Sequence, residues 1–194
     1  MRRWLVAFCL LAAPAASETV LKDGDVLRGR FVQERHLTGF AAPLRSAGSF
    51  VIAPGRGLIW RAETPFPITT VVSPAGLLQS VGGTETTRLP AQRLPFLTRL
   101  YDMMAGALAG DWRALEGSFQ VMRQGAAIKL SPLGGDDPAA SQIAGITAKL
   151  GQFVDEVEIA KPGGDFDRLT FLDQSLGGGP LGADDAALLE RVGK

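Results

Sequence analysis

A β-hairpin is predicted by the stretch SAGSFVIAPGRGLIWRA, residues 46–62. In its first arm Phe50 and Ile52 are two residues apart and therefore share one face of a strand. The sequence APGRG follows, with the glycine and proline that are typical of a turn. The second arm returns with Leu58 and Trp60, again two residues apart. We therefore predict two antiparallel strands that present a row of large apolar side chains to one side.

The same pattern continues along most of the chain. Short alternating runs are separated by Gly, Pro, Asp and Ser, as in strands joined by tight turns. The predicted strands cover residues 25–37, 46–53, 58–62, 68–72, 77–81, 85–89, 118–123, 126–130, 142–150, 153–160 and 167–172. We expect a mainly β fold of the α+β class, in which one domain is built on a large antiparallel sheet.

The hydrophobic period changes in the middle of the chain. Leu97, Leu100, Met104 and Leu108 recur at helical spacing and predict one amphipathic helix. A shorter helix is predicted at about residues 183–192. An open sheet of many strands must curl or be covered, so we expect a curved half-barrel whose concave face is covered by the mid-chain helix as a lid.

Side chains alternate between the two faces of a strand. If Trp60 points inward, this alternation predicts which residues lie on the concave face. Two interpretations remain open: these side chains pack together as a dry core, or they line a cavity that accepts an apolar ligand. Methionine in the predicted lid favours the second, because its flexible side chain adapts to ligands of varied shape. The candidate ligand-binding residues are Phe31, Phe50, Ile52, Leu58, Trp60, Ile68 and Val72 of the sheet, with Leu97, Leu100 and Met104 of the lid.

The N-terminal sequence MRRWLVAFCLLAAPAAS is typical of a secretory signal peptide. Arg2 and Arg3 precede a short apolar run, and small residues then lead to a cleavage site after Ser17. We expect residues 1–17 to be removed and residues 18–194 to form a single exported domain. Cys9 is the chain's one cysteine and lies in this leader, so no disulfide is expected in the exported domain.

Neither the composition nor the motifs favour nucleic-acid binding, metal binding or catalysis. The 20 basic and 20 acidic residues cancel, which gives no attraction to a nucleic acid. His36 is the single histidine, so we expect no transition metal and no cofactor. A hydrolase, the alternative function, would need Asp155 or Glu158 beside His36 in a cleft. We expect a binding protein and not an enzyme.

Several stretches stand in a characteristic order along the exported chain. They are RGRFVQER at 28–35, GSFVIAPGRGLIW at 48–60, TPF at 64–66, LPFLTRLYDMMAGALAGDW at 94–112, IKLSP at 128–132, and the later VEIA and DRLTF strands. Taken in this order they resemble the LolA-like family of periplasmic lipoprotein carriers, and the likeness extends over most of the exported chain.

This resemblance implies a monomeric periplasmic carrier that binds the acyl chains of a lipoprotein or another lipid. It would take cargo from an inner-membrane transporter and deliver it to an outer-membrane acceptor. A lipid-sensing protein on a similar sheet is an alternative within the same class. The family commonly has an arginine before the hairpin proline, where this chain has Ala53. Arg56 and Arg61 are the candidates to replace it in holding the lid.

Overall fold

The computed structural model describes residues 19–93, 106–107, 112–134 and 142–193 of the chain. The predicted signal peptide, residues 1–17, lies outside the described residues. So does the predicted lid helix apart from Gly106 and Ala107, which are helical. These two expectations therefore remain predictions.

One 11-stranded sheet dominates the described chain, and its strand order is β6-β5-β4-β3-β2-β1-β11-β10-β9-β8-β7. Every neighbouring pair is antiparallel, as the sequence predicts. Strands β1–β6 and β7–β11 are two meanders, and pairing of β1 with β11 joins them. The strands are β1 Asp25–His36, β2 Leu44–Ala53, β3 Gly57–Thr64, β4 Ile68–Ser73, β5 Gly76–Val81, β6 Thr84–Pro90, β7 Phe119–Gln124, β8 Ala127–Pro132, β9 Gly145–Leu150, β10 Val154–Ala160 and β11 Phe166–Gly178.

Irregularities in the strand pairing indicate that the sheet is bent. Register shifts interrupt β1 between Arg28 and Arg30 and β2 between Ala47 and Gly48. Irregularities of this kind increase the local twist and bend a strand. In the described residues β6 and β7 end the sheet without pairing to each other, so it is open. An open, bent antiparallel sheet is consistent with the predicted half-barrel.

The inner face of the sheet carries the larger apolar core, which we call the inner-face cluster. Its residues come from both meanders and from the short 3-10 helix Trp112–Leu115, which follows the predicted lid. The cluster consists of Leu21, Leu27, Phe31, Phe50, Ile52, Leu58, Val72, Trp112, Leu115, Phe119, Ile128, Leu130, Ala148, Leu150, Phe153, Val154 and Phe171. Ala107 packs against the cluster, so part of the mid-chain segment lies on the inner face.

The outer face has a smaller core beneath the helix α1, Ala183–Arg191. Leu189 of α1 is buried there with sheet residues such as Ile59, Val71 and Leu78. The sequence predicts this helix correctly, but it does not predict that the helix covers the sheet. Among the described residues the helix packed on the sheet is thus terminal and not mid-chain, and it lies on the outer face. No helix within the described ranges has the length and apolar character to span a membrane.

Candidate ligand-binding site

The sheet places all the described candidate residues on its inner face. Directly paired residues of antiparallel strands share a face. Ile52 pairs with Leu58, and Leu58 pairs in turn with Val72. Phe50 pairs with Trp60 in the next row. Ile68 lies in a third row with Ala62, Gly48 and Phe31, and it is half-buried outside the cluster. The lid candidates Leu97, Leu100 and Met104 lie outside the described residues.

Four aromatic rings meet at the centre of this face. The rings of Phe31 and Trp60 stack with their centroids 3.7 Å apart, although β2 runs between their strands. Phe171 packs edge-on against Phe50 at 5.4 Å and against Trp60 at 6.2 Å. Phe31 and Phe50 are fully buried, whereas Trp60 remains half-buried. Trp60 is therefore the aromatic side chain of this group that is most open to a ligand.

Two glycines make the aromatic packing sterically feasible. A Cβ on Gly48 would overlap the backbone carbonyl oxygen of Arg61, so the position accepts no side chain. Gly48 lies on the strand between those of Phe31 and Trp60, and its missing side chain lets β2 and β3 approach closely there. A Cβ on Gly29 would lie 2.7 Å from a ring carbon of Phe50. Glycine at both positions thus fits large rings against a close-packed sheet.

Among the described residues, the inner face has more partly buried apolar side chains than the outer face. Around the inner-face cluster lie partly buried apolar residues from strands of both meanders: Trp60, Ala62, Leu77, Val121, Ile146, Val157 and Leu169. Around the outer-face core the partly buried residues are Ala186 and Leu188, which belong to α1 itself. A broad apolar surface with accessible side chains is the usual character of a lipid-binding face.

A groove opens at the end of the inner face where β1 finishes and β2 begins. We call it the mouth groove; its volume is about 380 Å³. Leu44 and Phe66 form apolar walls and are largely exposed, at 57% and 67% of their surfaces. The lining residues are Gln33, Arg35, Leu44, Arg45, Ser46, Pro65 and Phe66. Strand alternation in the sequence does not identify this groove or the polar residues that line it.

The polar residues of the mouth groove have defined partners. The Ser46 hydroxyl donates to Gln33 Oε1 at 3.4 Å. Arg35 Nε donates to Asp167 Oδ1 at 3.0 Å, and Lys161 Nζ donates to the second carboxylate oxygen at 2.6 Å. Asp167 is buried, and its charge is matched by these two cations as burial requires.

The candidates for holding the lid lie in different places. Arg61 is on the outer face, where its Nη2 donates to Asp185 of α1 at 2.6 Å. Arg56 is exposed in the turn between β2 and β3, beside a cavity of about 180 Å³ that Pro54 and Leu181 also line. The lid itself lies outside the described residues, so a closing role for either arginine remains a prediction.

Two groups needed for the alternative hydrolase function, His36 and Glu158, contact other residues. His36 stacks on Phe166 at 4.2 Å, and its charged neighbour is Glu34 at 3.9 Å. Glu158 is paired with Arg168 at 2.9 Å and not with His36. Within the described ranges no three His, Cys, Asp or Glu residues are grouped as metal ligands. His36 and Glu158 are therefore not paired with each other among the described contacts.

Several solved structures have a fold similar to that of this chain. One is LolA superfamily protein NE2245 from Nitrosomonas europaea, with a TM-score of 0.46, 10% identity, and coverage of 88% of this chain and 92% of that one. Another is a putative outer membrane lipoprotein-sorting protein domain from Vibrio parahaemolyticus, with a TM-score of 0.40, 9% identity, and coverage of 87% and 92%. A third is MucB in complex with MucA(peri), with a TM-score of 0.35, 14% identity, and coverage of 84% of this chain and 53% of that one.

At these identities the likeness concerns the fold alone. No protein-family model and no curated protein sequence matches the chain. The chain is similar in fold, at low identity, to the family that its sequence motifs resemble.

Proposed function

We propose that this protein is a periplasmic carrier that binds the acyl chains of a lipoprotein or another lipid on the inner face of its sheet. The observation that carries the proposal is the inner-face cluster, around which Trp60 and other apolar side chains of the described strands are only partly buried. The buried aromatic rings pack closely together, and the partly buried apolar side chains around them can contact a ligand. The outer face offers no comparable surface among the described residues, because α1 covers its core.

The energetics of acyl-chain transfer agree with this surface. An acyl chain that leaves water gains about 0.8 kcal/mol for each buried CH₂ group, so a chain of ordinary length binds firmly to such a face. The interaction has no fixed direction and requires few polar contacts. The same site can therefore accept chains of different length.

The proposed route follows from the family resemblance. Residues 1–17 would direct export to the periplasm, where the domain would act as a monomer. An inner-membrane transporter would donate the cargo, and an acceptor on the outer membrane would receive it. This function needs no catalytic step and no cofactor.

A carboxylate at position 60 tests the proposal. Trp60→Glu places a charge among the apolar residues of the inner face, and we expect at least a tenfold loss of affinity for acyl chains because burying that charge is costly. Affinity is measured by titration with a fluorescent fatty acid, and the bound lipid is identified by native mass spectrometry. Circular dichroism establishes that the variant is folded.

The matched control is Met122→Glu, because Met122 is an exposed apolar residue on the solvent side of β7. This control is expected to bind acyl chains like the unmodified protein. Equal binding by the unmodified protein and folded Trp60→Glu would contradict the proposed site. Absence of any lipid uptake by the unmodified protein would end the proposed function.

A further inference from the structure

The mouth groove has a chemical character that differs from that of the inner face. Both of its charged lining residues are arginines, and no carboxylate lines it among the described residues. We propose that this groove binds the anionic head, a phosphate or a carboxylate, of an amphiphile whose acyl chain lies on the inner face. The inference rests on the proposed function and adds to it a preference for the head of the ligand.

The hydrogen-bonding groups in the groove are mainly donors. Gln33 Oε1 already accepts the Ser46 hydroxyl, so the amide NH₂ of Gln33 is the group left to bind a ligand. Arg35 uses Nε for Asp167, which leaves its two terminal nitrogens as donors. These N–H donors of Gln33 and Arg35 suit an oxygen anion, and they outnumber the acceptor oxygens of Ser46 and Gln33 in the groove.

The charges that surround the groove leave a positive balance. Asp167 bonds Arg35 but is shared with Lys161, so one carboxylate faces two cations. Arg45 lines the groove and is exposed, although it starts from the face opposite Gln33 and Ser46 and pairs across the strands with Glu34. With Glu34 counted, three cations (Arg35, Arg45 and Lys161) lie near two carboxylates, so the balance at the groove stays positive.

The groove is placed correctly for an amphiphile. The Gln33–Ser46 pair is the next row of the inner face beyond the Phe31–Gly48 pair. Two residues along a strand span about 7 Å, so a head held in the groove lies about that distance from the aromatic rings. Leu44 and Phe66 line the same groove and can contact the first carbons of the chain.

Ligands with the same tail and different heads test the proposal. Dodecanoic acid, dodecyl phosphate and 1-dodecanol are titrated against the purified protein, and inorganic phosphate is titrated alone. We expect the two anionic ligands to bind about tenfold more tightly than the alcohol, as one or two charge-assisted hydrogen bonds would provide. Inorganic phosphate alone should bind far more weakly than dodecyl phosphate.

Two variants remove the groove's charge. Arg45→Gln leaves the Arg35–Asp167 pair intact, and Arg35→Gln with Arg45→Gln removes both cations. The double variant is expected to bind acid and alcohol equally, with its affinity for the alcohol unchanged, and Arg45→Gln should fall between. The control is Lys129→Gln, since Lys129 is an exposed cation on β8 and does not line the groove. This variant should prefer the acid over the alcohol as strongly as the unmodified protein does.

The outcomes separate this inference from the proposed function. Equal affinity of the unmodified protein for acid and alcohol overturns the head site but leaves the carrier function in place. A preference that survives in folded Arg45→Gln and in the folded double variant also overturns it. If inorganic phosphate alone binds as tightly as dodecyl phosphate, the groove is a site for free anions. That result contradicts the proposal that it binds the head of an amphiphile. Failure of all dodecyl ligands to bind contradicts the proposed function itself.

Discussion

Gly48 controls how closely three strands pack at the centre of the inner face. The residue pairs with Phe31 on one side and Ala62 on the other, next to the register shift in β2. Its lack of a side chain leaves room for the carbonyl of Arg61 on the neighbouring strand. The close approach of β2 and β3 beneath the aromatic rings therefore depends on glycine at this position.

Substitution of this glycine is expected to be costly. Gly48→Ala forces β2 and β3 apart, and we expect a loss of about 3 kcal/mol in the free energy of unfolding, the upper range for an overpacked core. Denaturation by urea measures the change. Gly178→Ala is the control, because Gly178 ends β11 and a Cβ there would meet nothing within 4 Å. A Gly48→Ala protein as stable as the control would contradict this role.

Residue-level chemistry was only partly predictable from the sequence. Phe50, Leu58 and Trp60 were assigned to one face because side-chain direction alternates along a strand, and that rule is local. The mouth groove escaped prediction because Gln33, Ser46 and Phe66 are brought together by the pairing of β1 with β2 and by the bend after β3. Local periodicity contains no information about such neighbours.

At the scale of elements, α1 covers the outer face. Its Leu189 is buried in the outer-face cluster, and a Cβ on Gly57 of β3 would overlap that side chain. Asp185 in the first turn pairs with Arg61 at 2.6 Å and lies 3.9 Å from Arg28. A carboxylate at this end of a helix is also favoured by the helix dipole. The helix is thus held by apolar contact and by charge.

Truncation of the buried helix residue should affect stability and not binding. Leu189→Ala removes apolar contact from the outer-face cluster, and we expect the free energy of unfolding to fall by about 2 to 3 kcal/mol. Acyl-chain affinity at a temperature where the protein stays folded should be unchanged, because the helix lies on the opposite face from Trp60. Glu190→Ala, an exposed position on the same helix, serves as control for the unfolding measurement. A large loss of affinity in Leu189→Ala would mean that the outer face takes part in ligand binding.

The strands were more predictable than their partners. Each predicted strand is present, with bounds that shift by a few residues, because turn residues and alternation specify strands locally. Strand β11 extends to Gly178, well past the predicted end at residue 172, because pairing with β1 stabilises a stretch that does not alternate. The sequence does not predict that α1 covers the sheet. Contacts such as the one between Arg61 and Asp185 join residues 124 positions apart, and they leave no signal in the local sequence pattern.

For the whole molecule, several carboxylates link stability to pH. The side-chain hydrogen bond from Arg30 holds the pKa of Glu63 below its ordinary value. The hydrogen bond from the Thr38 backbone N–H lowers the pKa of Asp165 in the same way. A carboxyl with a lowered pKa in the folded state binds protons more weakly there than in the unfolded chain.

The sign of the pH effect follows directly. The stabilisation is complete above the ordinary carboxyl pKa values and is lost as the pH falls through the lowered ones, so stability should decline below about pH 4.5. Thermal denaturation at pH 6 and pH 3 measures the decline, and Glu63→Gln should reduce its size. Equal stability at both pH values would show that these hydrogen bonds do not persist in solution.

The whole account depends on the inner face binding an acyl chain next to Trp60. A fatty acid that carries bromine atoms in the middle of its chain quenches tryptophan emission on close contact. In a Trp112→Phe background, Trp60 is the tryptophan that remains within residues 18–194. We predict saturable quenching with one fatty acid bound per protein. Unchanged Trp60 emission in the folded protein at saturating fatty acid would contradict the central claim.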